Sequence, residues 1–449
     1  MPVRDRNIRI RKEEDGSLMG GNTPELTSIE ICAGAGGQAV GLHAAGFRHL
    51  ALVEIDEHAV ETLNANIKKN PADGWKWESA NCAIFNEDVK QFHPYEVLPG
   101  LKPRHLDLLA GGVPCPPFSI AGKQLGQDDE RDLFPRMLEL VDELKPRAVM
   151  IENVRGLLEP AHKFRSYRKQ ILQRLRDAGY VVCGWNVLEA ADFGVPQLRP
   201  RAILVAIRED CYRGFTWPKK GDVPQKYVFE TLQKSMQHRC GTEGGKGPGL
   251  KTPTQRALAA KAYKKWADDA NGVPLGIAPT LVGGSKKHGG ADLGPTRAKK
   301  AWTAFGVNGL GVANEEDDRH FERDLDRDLL DLEKGIMLTV SQAALIQGFP
   351  DDWKFQGGKT ARYRQVGNAF PPPVAEAVGR AIAEALGRTG PLVPAPVLED
   401  DRYEDIHAQE LLPISADTSA GIKDGATEIV MIPAPGVAEP AEEALTLAD

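Results

Sequence analysis

The 449-residue chain has no paired-cysteine spacing, no long apolar run and no apolar leader, and each absence removes a class of protein. Its six cysteines (Cys32, Cys82, Cys115, Cys183, Cys211 and Cys240) form no CxxC pair and no ladder of short spacings. That argues against a disulfide scaffold and a structural zinc site, so no metal is expected and a reducing compartment fits. No stretch approaches the roughly 18 apolar residues of a membrane span. The first residues, MPVRDRNIRIRKEEDG, mix charges without the apolar core of a signal peptide. A soluble intracellular protein is expected.

The net charge of −7 speaks against a polyanionic partner until it is divided by region. Thr389 to Asp449 holds 13 acidic and two basic residues, so residues 1–388 sum to +4. Tyr212 to Gly311 carries 17 Lys or Arg against 6 Asp or Glu, a net of +11. Such a segment is a candidate for binding a polyanion, although on charge alone a solvated lysine-rich surface is the plainer reading.

After a poorly patterned start, short β-like runs alternate with helical patterns. Thr27–Ile31, Leu50–Ile55, Leu106–Ala110, Ala148–Ile151, Val181–Leu188 and Arg201–Ile207 read as strands. Ala59, Leu63 and Ile67, then Leu133, Met137, Leu140 and Leu144, then Phe164, Tyr167, Ile171, Leu175 and Ala178 read as helix faces, the last stopping at Gly179. This alternation predicts a mostly parallel α/β sheet covered on both faces, with ligands beyond the carboxyl ends of its strands. The rhythm is lost near Glu209. Glu315 to Glu333, with ten acids and three arginines, reads as a hinge or solvated helix, and pattern returns at Ile336. The Pro-, Ala- and acid-rich end reads as disordered.

Four motifs carry chemistry. Glycines in Glu30-Ile-Cys32-Ala33-Gly34-Ala-Gly36-Gly37 suit a strand-to-helix turn that a cofactor approaches closely, and Glu54 in VEID suits ribose hydroxyls. Cys115 in GGVPCPPFS is held by prolines just past a buried strand, which suits a nucleophile better than a packing position. Glu152, straight after Ala148–Ile151, is placed to have its pKa raised and to donate a proton, a surface cap being the alternative. Arg199 and Arg201 alternate along an extended chain, so both should face one side and suit a carbonyl oxygen or phosphate.

Together with LTVSQAALIQGFPDDWKF and YRQVGNAFPPPVAEAVGRAI, these segments resemble, in order, the DNA (cytosine-5) methyltransferase family from Glu30 to about Ala385. The resemblance implies a Rossmann-like sheet with helices on both faces, and a smaller irregular target-recognition domain inserted before the C-terminal segment. Its boundaries would be a disordered 1–24, catalytic 25–208, recognition and hinge 209–335, a completing segment 336–388 and a disordered acidic tail 389–449. It also implies methyl transfer from S-adenosyl-L-methionine to C5 of a cytosine flipped out of duplex DNA. In that reading Cys115 adds to C6, Glu152 protonates N3, and Arg201 with Arg199 stabilises the O2 side.

Cys32, Ala33, Gly34, Gly36 and Gly37 would form the methionine-side turn. Glu54 and Ile55 would meet the ribose edge, Asp88 and Val89 the adenine, and Asn368 and Ala369 would close the pocket. Pro114, Phe118, Ser119, Gln197, Thr280 and Leu281 would lie on the DNA side, and Ser119–Leu133 would be the closing loop. Where the family usually has Phe stacking on adenine the chain has Cys32, which predicts weaker cofactor affinity or a compensating neighbour such as Ile55. The family's common Arg-Glu pair before QGFPDDW is missing. The expected partner is double-stranded DNA, with no membrane and no obligate protein partner, for a cytoplasmic, nucleoid-associated monomer. It would be the modification enzyme of a restriction-modification system or a solitary relative. Two rivals remain: a tRNA-methylating relative and a non-catalytic DNA-binding regulator.

Overall fold

The computed structural model describes residues 26–69, 71, 73–114, 132–159, 164–241, 247–283 and 291–398. Cys115, Phe118, Ser119 and most of the expected closing loop lie outside the described residues, as do the N-terminal segment and the tail from Glu399.

The apolar runs form β1 (Leu26–Ile31), β2 (Phe47–Glu54), β3 (Ala83–Asn86), β4 (Leu108–Gly111), β5 (Ala148–Val154), β6 (Tyr180–Glu189) and β7 (Pro200–Arg208). They make one sheet in the order β3-β2-β1-β4-β5-β7-β6. β1 to β5 pair in parallel, whereas β7 runs antiparallel to both β5 and β6. Periodicity cannot reveal that reversal. It follows from the link of residues 190–199, which is too short for a crossover helix.

Helices α1 (Gly37–Ala44), α2 (Glu57–Leu63), α3 (Lys76–Asn81) and α4 (Pro94–Val97) accompany β1 to β3, and α5 (Phe134–Leu144) and α6 (Arg165–Asp177) flank β5. Ile67 lies on a π turn, Asn64–Lys69, that extends α2. Gly179 follows α6 with φ of 82°. Strand alternation divides the core between the two faces. Ile29, Ile31, Val149 and Ile151 meet Met137 and Leu140 of α5 and Ile171 and Leu175 of α6. Leu108, Ala110, Met150 and Val205 point the other way, toward Leu42 of α1.

The basic region holds α7 (Val228–Cys240), α8 (Pro253–Gly272) and α9 (Thr296–Ala304), and the acidic stretch becomes α10 (Phe321–Leu330). Of the two alternatives, hinge or solvated helix, a helix forms, but it is not solvated. α10 buries Phe321, Leu325 and Leu329 together with Asp324 and Asp328. Asp328 pairs with Arg239 of α7 at 2.8 Å, Glu322 with Lys251 at 2.6 Å and Glu316 with His238 at 3.1 Å. The acids are therefore counter-charges for the basic region. Among its described residues, Lys220, Arg239, Lys251, Lys264, Lys265 and Lys299 all have carboxylate partners. Trp266, Trp302 and Leu325 share one apolar cluster with Leu52, Leu63 and Tyr363, so this region packs continuously onto the sheet.

The returning segment forms α11 (Val340–Gln347), α12 (Lys359–Asn368) and α13 (Pro372–Gly387). α13 covers the face opposite α5 and α6 with Val374, Val378 and Ile382. It can do so because Gly41 of α1 has no side chain; a Cβ there would fall 2.3 Å from the Pro372 carbonyl oxygen. The described chain runs ten residues past the expected tail boundary. Arg213 Nε donates to the Gly390 carbonyl at 2.7 Å, and Leu398 packs against the core.

Candidate active site

The strand order reverses between β1 and β4, which are neighbours whose chains leave in opposite directions along the sheet. A crevice forms at such a point because the loops beyond the two strand ends diverge. A cavity of about 610 Å³ lies there. It is lined by Cys32, Ala33, Gly34 and Gly37 from the first turn, and by Glu54 and Ile55 after β2. Asp88 and Val89 follow β3, Pro114 follows β4, Glu152 comes from β5, and Asn368 and Ala369 come from the C-terminal segment. Ten of the eleven cofactor residues expected from sequence thus meet around one space.

Gly36 does not line it. With φ of 92° it turns toward Trp353 and Leu63, where a Cβ would come within 2.9 Å of each. The glycines therefore do different work. Gly34, at φ of 55°, has open space where a side chain would project, as close approach of a ligand requires. Gly37 instead makes room for the Phe370 carbonyl, 2.3 Å from its Cβ position. The C-terminal segment is bolted on from the same side: Trp353 Nε1 donates to the Ala35 carbonyl at 3.0 Å, and Thr62 Oγ1 to Gln365 Oε1 at 2.6 Å.

Glu54 stabilises the rim itself. Its carboxylate accepts the backbone N–H groups of Gly34 at 2.8 Å, Ile55 at 2.9 Å and Asp56 at 2.8 Å. Asp88 accepts the Lys90 N–H at 2.9 Å. Ile55 is 66% exposed, an apolar surface at the mouth. Cys32 sits in a left-handed conformation, φ 52°, and burial pushes its thiol pKa up.

Sequence reading missed about half of the cavity lining, and four of the residues missed are polar groups that bear on its chemistry. Glu30 and Gln38 are buried, and Glu30 Oε2 and both amide atoms of Gln38 have no hydrogen-bond partner. Burial and the charge of Glu54 raise the Glu30 pKa well above the usual carboxylate range. Across the mouth, Asp56 and Arg364 pair at 2.9 Å and join α2 to α12. Each lies inside a quoted motif or one residue beyond it, and an acid ending a buried strand was a readable signal for Glu30.

Glu152 and Arg201 form a buried ion pair beside the cavity. Glu152 faces Ile203 in the β5–β7 ladder, which puts Arg201, two residues on, on the same face and diagonal to it. Arg201 Nε lies 2.9 Å from Glu152 Oε1, and each side chain is only 13% exposed. Burial raises the Glu152 carboxyl, more than Arg201 and Arg199 lower it. Asn153 Nδ2 donates to the Val113 carbonyl at 2.8 Å, and Gly112 leaves room for the Glu152 carboxylate, so β5 holds the loop that runs through Pro114 toward Cys115. The ends of that loop are also tied, Leu133 N–H to the Pro114 carbonyl at 3.4 Å.

Arg199 does not share the site of Arg201. Its guanidinium is 1% exposed and donates to the carbonyls of Leu281 at 2.6 Å, Gly367 at 2.7 Å and Ala369 at 3.0 Å. Gln197 and Leu281 are likewise fully buried, and Gln197 Oε1 accepts the Leu281 N–H at 2.6 Å. The Thr280 hydroxyl donates to the Leu198 carbonyl. Arg199 and Gln197 tie the segment around Leu281 to the rest of the chain rather than presenting their side chains outward. Among the described residues, no group of three or more His, Cys, Asp or Glu is placed to hold a metal, and no helix is long and apolar enough to cross a membrane.

The C-5 cytosine-specific DNA methylase family model matches residues 26–384. The type II methyltransferase M.NaeI of Lentzea aerocolonigenes is 48% identical over 367 residues, 81% of this chain and 76% of the relative. M.NgoMIV of Neisseria gonorrhoeae is 43% identical over 365 residues, 81% of this chain and 98% of the relative. In three dimensions, the Entamoeba histolytica methyltransferase EhMeth superposes with a TM-score of 0.51 at 15% identity, covering 82% of this chain and all of that one, a likeness of fold. The sheet and its cavity are those of an α/β methyltransferase. The chain belongs to the C-5 cytosine-specific DNA methylase family, and its activity is methylation of DNA cytosine at carbon 5.

Proposed function

We propose that the chain methylates a cytosine flipped out of double-stranded DNA, that the 610 Å³ cavity holds S-adenosyl-L-methionine, and that Cys115 is the nucleophile. The observation that carries this reading is the buried Glu152, its pKa raised, paired with Arg201 on the wall of that cavity.

The cavity suits the cofactor. The unbonded Glu30 oxygen and Gln38 amide fit the charged amino-acid end, Glu54 and Asp88 stand at the rim where ribose and adenine would lie, and exposed Ile55 supplies the apolar contact that Cys32 cannot. When bound, S-adenosylmethionine supplies an electrophilic methyl on its sulfonium. Glu152, whose carboxyl burial shifts toward the protonated form, donates a proton to N3 of the ring, so that electron density moves toward C5 as the Cys115 thiolate bonds C6. Arg201 keeps Glu152 in place and offers its guanidinium to the O2 side. With the methyl on C5, a base, water being sufficient, removes the C5 proton, the thiolate leaves C6 and the N3 proton returns to Glu152. The enzyme acts as a monomer, either beside a restriction enzyme or alone.

DNA bearing 5-fluorocytosine at the methylated position tests the proposal, because fluorine cannot leave as a proton does. The wild-type protein should form a denaturation-resistant adduct that Cys115→Ala does not form. Equal adduct in Cys115→Ala would refute the nucleophile.

A further inference from the structure

The tripeptide Gln197-Leu198-Arg199 does something that the chemistry at Glu152 does not require. Its first and third side chains are buried, and Leu198 between them is 46% exposed. One guanidinium, that of Arg199, gathers carbonyls from two separate parts of the protein. Leu281 belongs to the segment leading into the recognition region, while Gly367 and Ala369 bracket Asn368 on the cofactor cavity wall. Gln197 runs a second bridge in parallel. It bonds the Leu281 N–H and donates to Gln347 Oε1 at 2.7 Å, and Gln347 donates in turn to the Ala369 carbonyl at 2.5 Å.

The two parts are also in backbone contact. A Cβ on Gly283 would fall 2.3 Å from Asn368 Oδ1, and one on Gly367 would fall 2.3 Å from the Gly283 nitrogen. With this interlock neither part can shift without the other. Val282, 38% exposed, lies between the clasped Leu281 and Gly283.

We infer that Arg199 is a positioning residue that couples the cofactor cavity to the DNA-recognition segment, so that occupancy of one tightens binding at the other. This rests on the cavity being the S-adenosylmethionine site. A planar fork with five donors can hold carbonyls on two elements in one register, whereas an ammonium at the same place lacks both reach and geometry. Coupling of this kind is reciprocal, so it is readable from either ligand.

The test measures the affinity of a DNA fragment, chosen because bisulfite sequencing shows the enzyme methylates it, with and without S-adenosylhomocysteine. The wild-type protein should bind that fragment about tenfold tighter when S-adenosylhomocysteine is present, within the usual range for site coupling. Arg199→Lys should reduce the factor to about twofold or less. Gln347→Leu, which cuts only the parallel bridge, should reduce it in part and serves if Arg199→Lys does not fold. Arg201→Lys, outside the clasp, should keep the full factor whatever its turnover. A role in stability alone would lower the melting temperature but leave this ratio of affinities unchanged. Retention of the factor in Arg199→Lys or, should that variant not fold, in Gln347→Leu would overturn the inference, as would wild-type binding of S-adenosylhomocysteine with no effect on DNA. Absence of S-adenosylhomocysteine binding by the wild-type protein would instead sink the cofactor assignment.

Discussion

Replacing Arg201 by Met should make the stability of this protein depend on pH in a calculable way. Glu152 already has a raised pKa, because burial outweighs the opposing charges of Arg201 and Arg199. With the Arg201 nitrogen 2.9 Å from its oxygen and both side chains 13% exposed, the pair is screened only in part. Charge centres roughly 4 Å apart at an effective dielectric constant of about 20 interact by about 4 kcal/mol. Allowing for residual solvent and relaxation, about 3 kcal/mol is a fair expectation, and Arg201 holds the carboxyl down against its burial. Arg201→Met should therefore raise Glu152 further. A carboxyl whose folded pKa is raised binds a proton that the unfolded chain has released. Its stability contribution is present below the unfolded pKa and is lost as pH rises through the folded one. Urea unfolding should accordingly show a deficit for the variant that is small at acidic pH and grows toward about 3 kcal/mol at alkaline pH. In Glu152→Gln/Arg201→Met the growth with pH should vanish. A deficit equal at acidic and alkaline pH, or one that still grows in the double variant, would refute the assignment of a buried, coupled pair.

Two other outcomes follow from packing. Gly41→Ala forces α1 and α13 apart, since its Cβ would lie 2.3 Å from the Pro372 carbonyl and 2.5 Å from Ala375 Cβ. Overpacking of this kind costs about 1–3 kcal/mol, and an unchanged melting temperature would show that α13 is not seated on α1 as described. Removing residues 399–449, which hold all 13 acids of the tail, should leave methylation intact and strengthen non-specific DNA binding at low salt. Truncation after Arg388 should in addition lower the melting temperature, because it removes the Gly390 and Leu398 contacts, and identical melting of the two truncations would contradict their role.

Six of the seven strands, the glycine turn after β1 and the acid in β5 were legible in the sequence because their signals are local. An apolar run of four to seven residues has few other ways to be buried, and a glycine turn after it has few other uses. The antiparallel β7 was not legible, since alternation along a strand is the same in either direction. The acidic stretch misled for a related reason. Asp324 and Asp328 read as solvated, yet each lies beneath partners from distant segments, Asn314 for one and Arg239 for the other.

By itself the sequence determined the family, the alternation of strands and helices in the sheet and about half of the residues that surround the cavity, because each motif carries its own spacing. Only the tertiary structure decided how look-alike residues divide their work. It set Gly34 toward open space and Gly36 and Gly37 against neighbouring chain, and it gave Arg201 to Glu152 but Arg199 to three carbonyls. Residue type and spacing are the same in both halves of each comparison. The difference lies in what a fold brings alongside, and those neighbours come from parts of the chain 27 to 333 residues away.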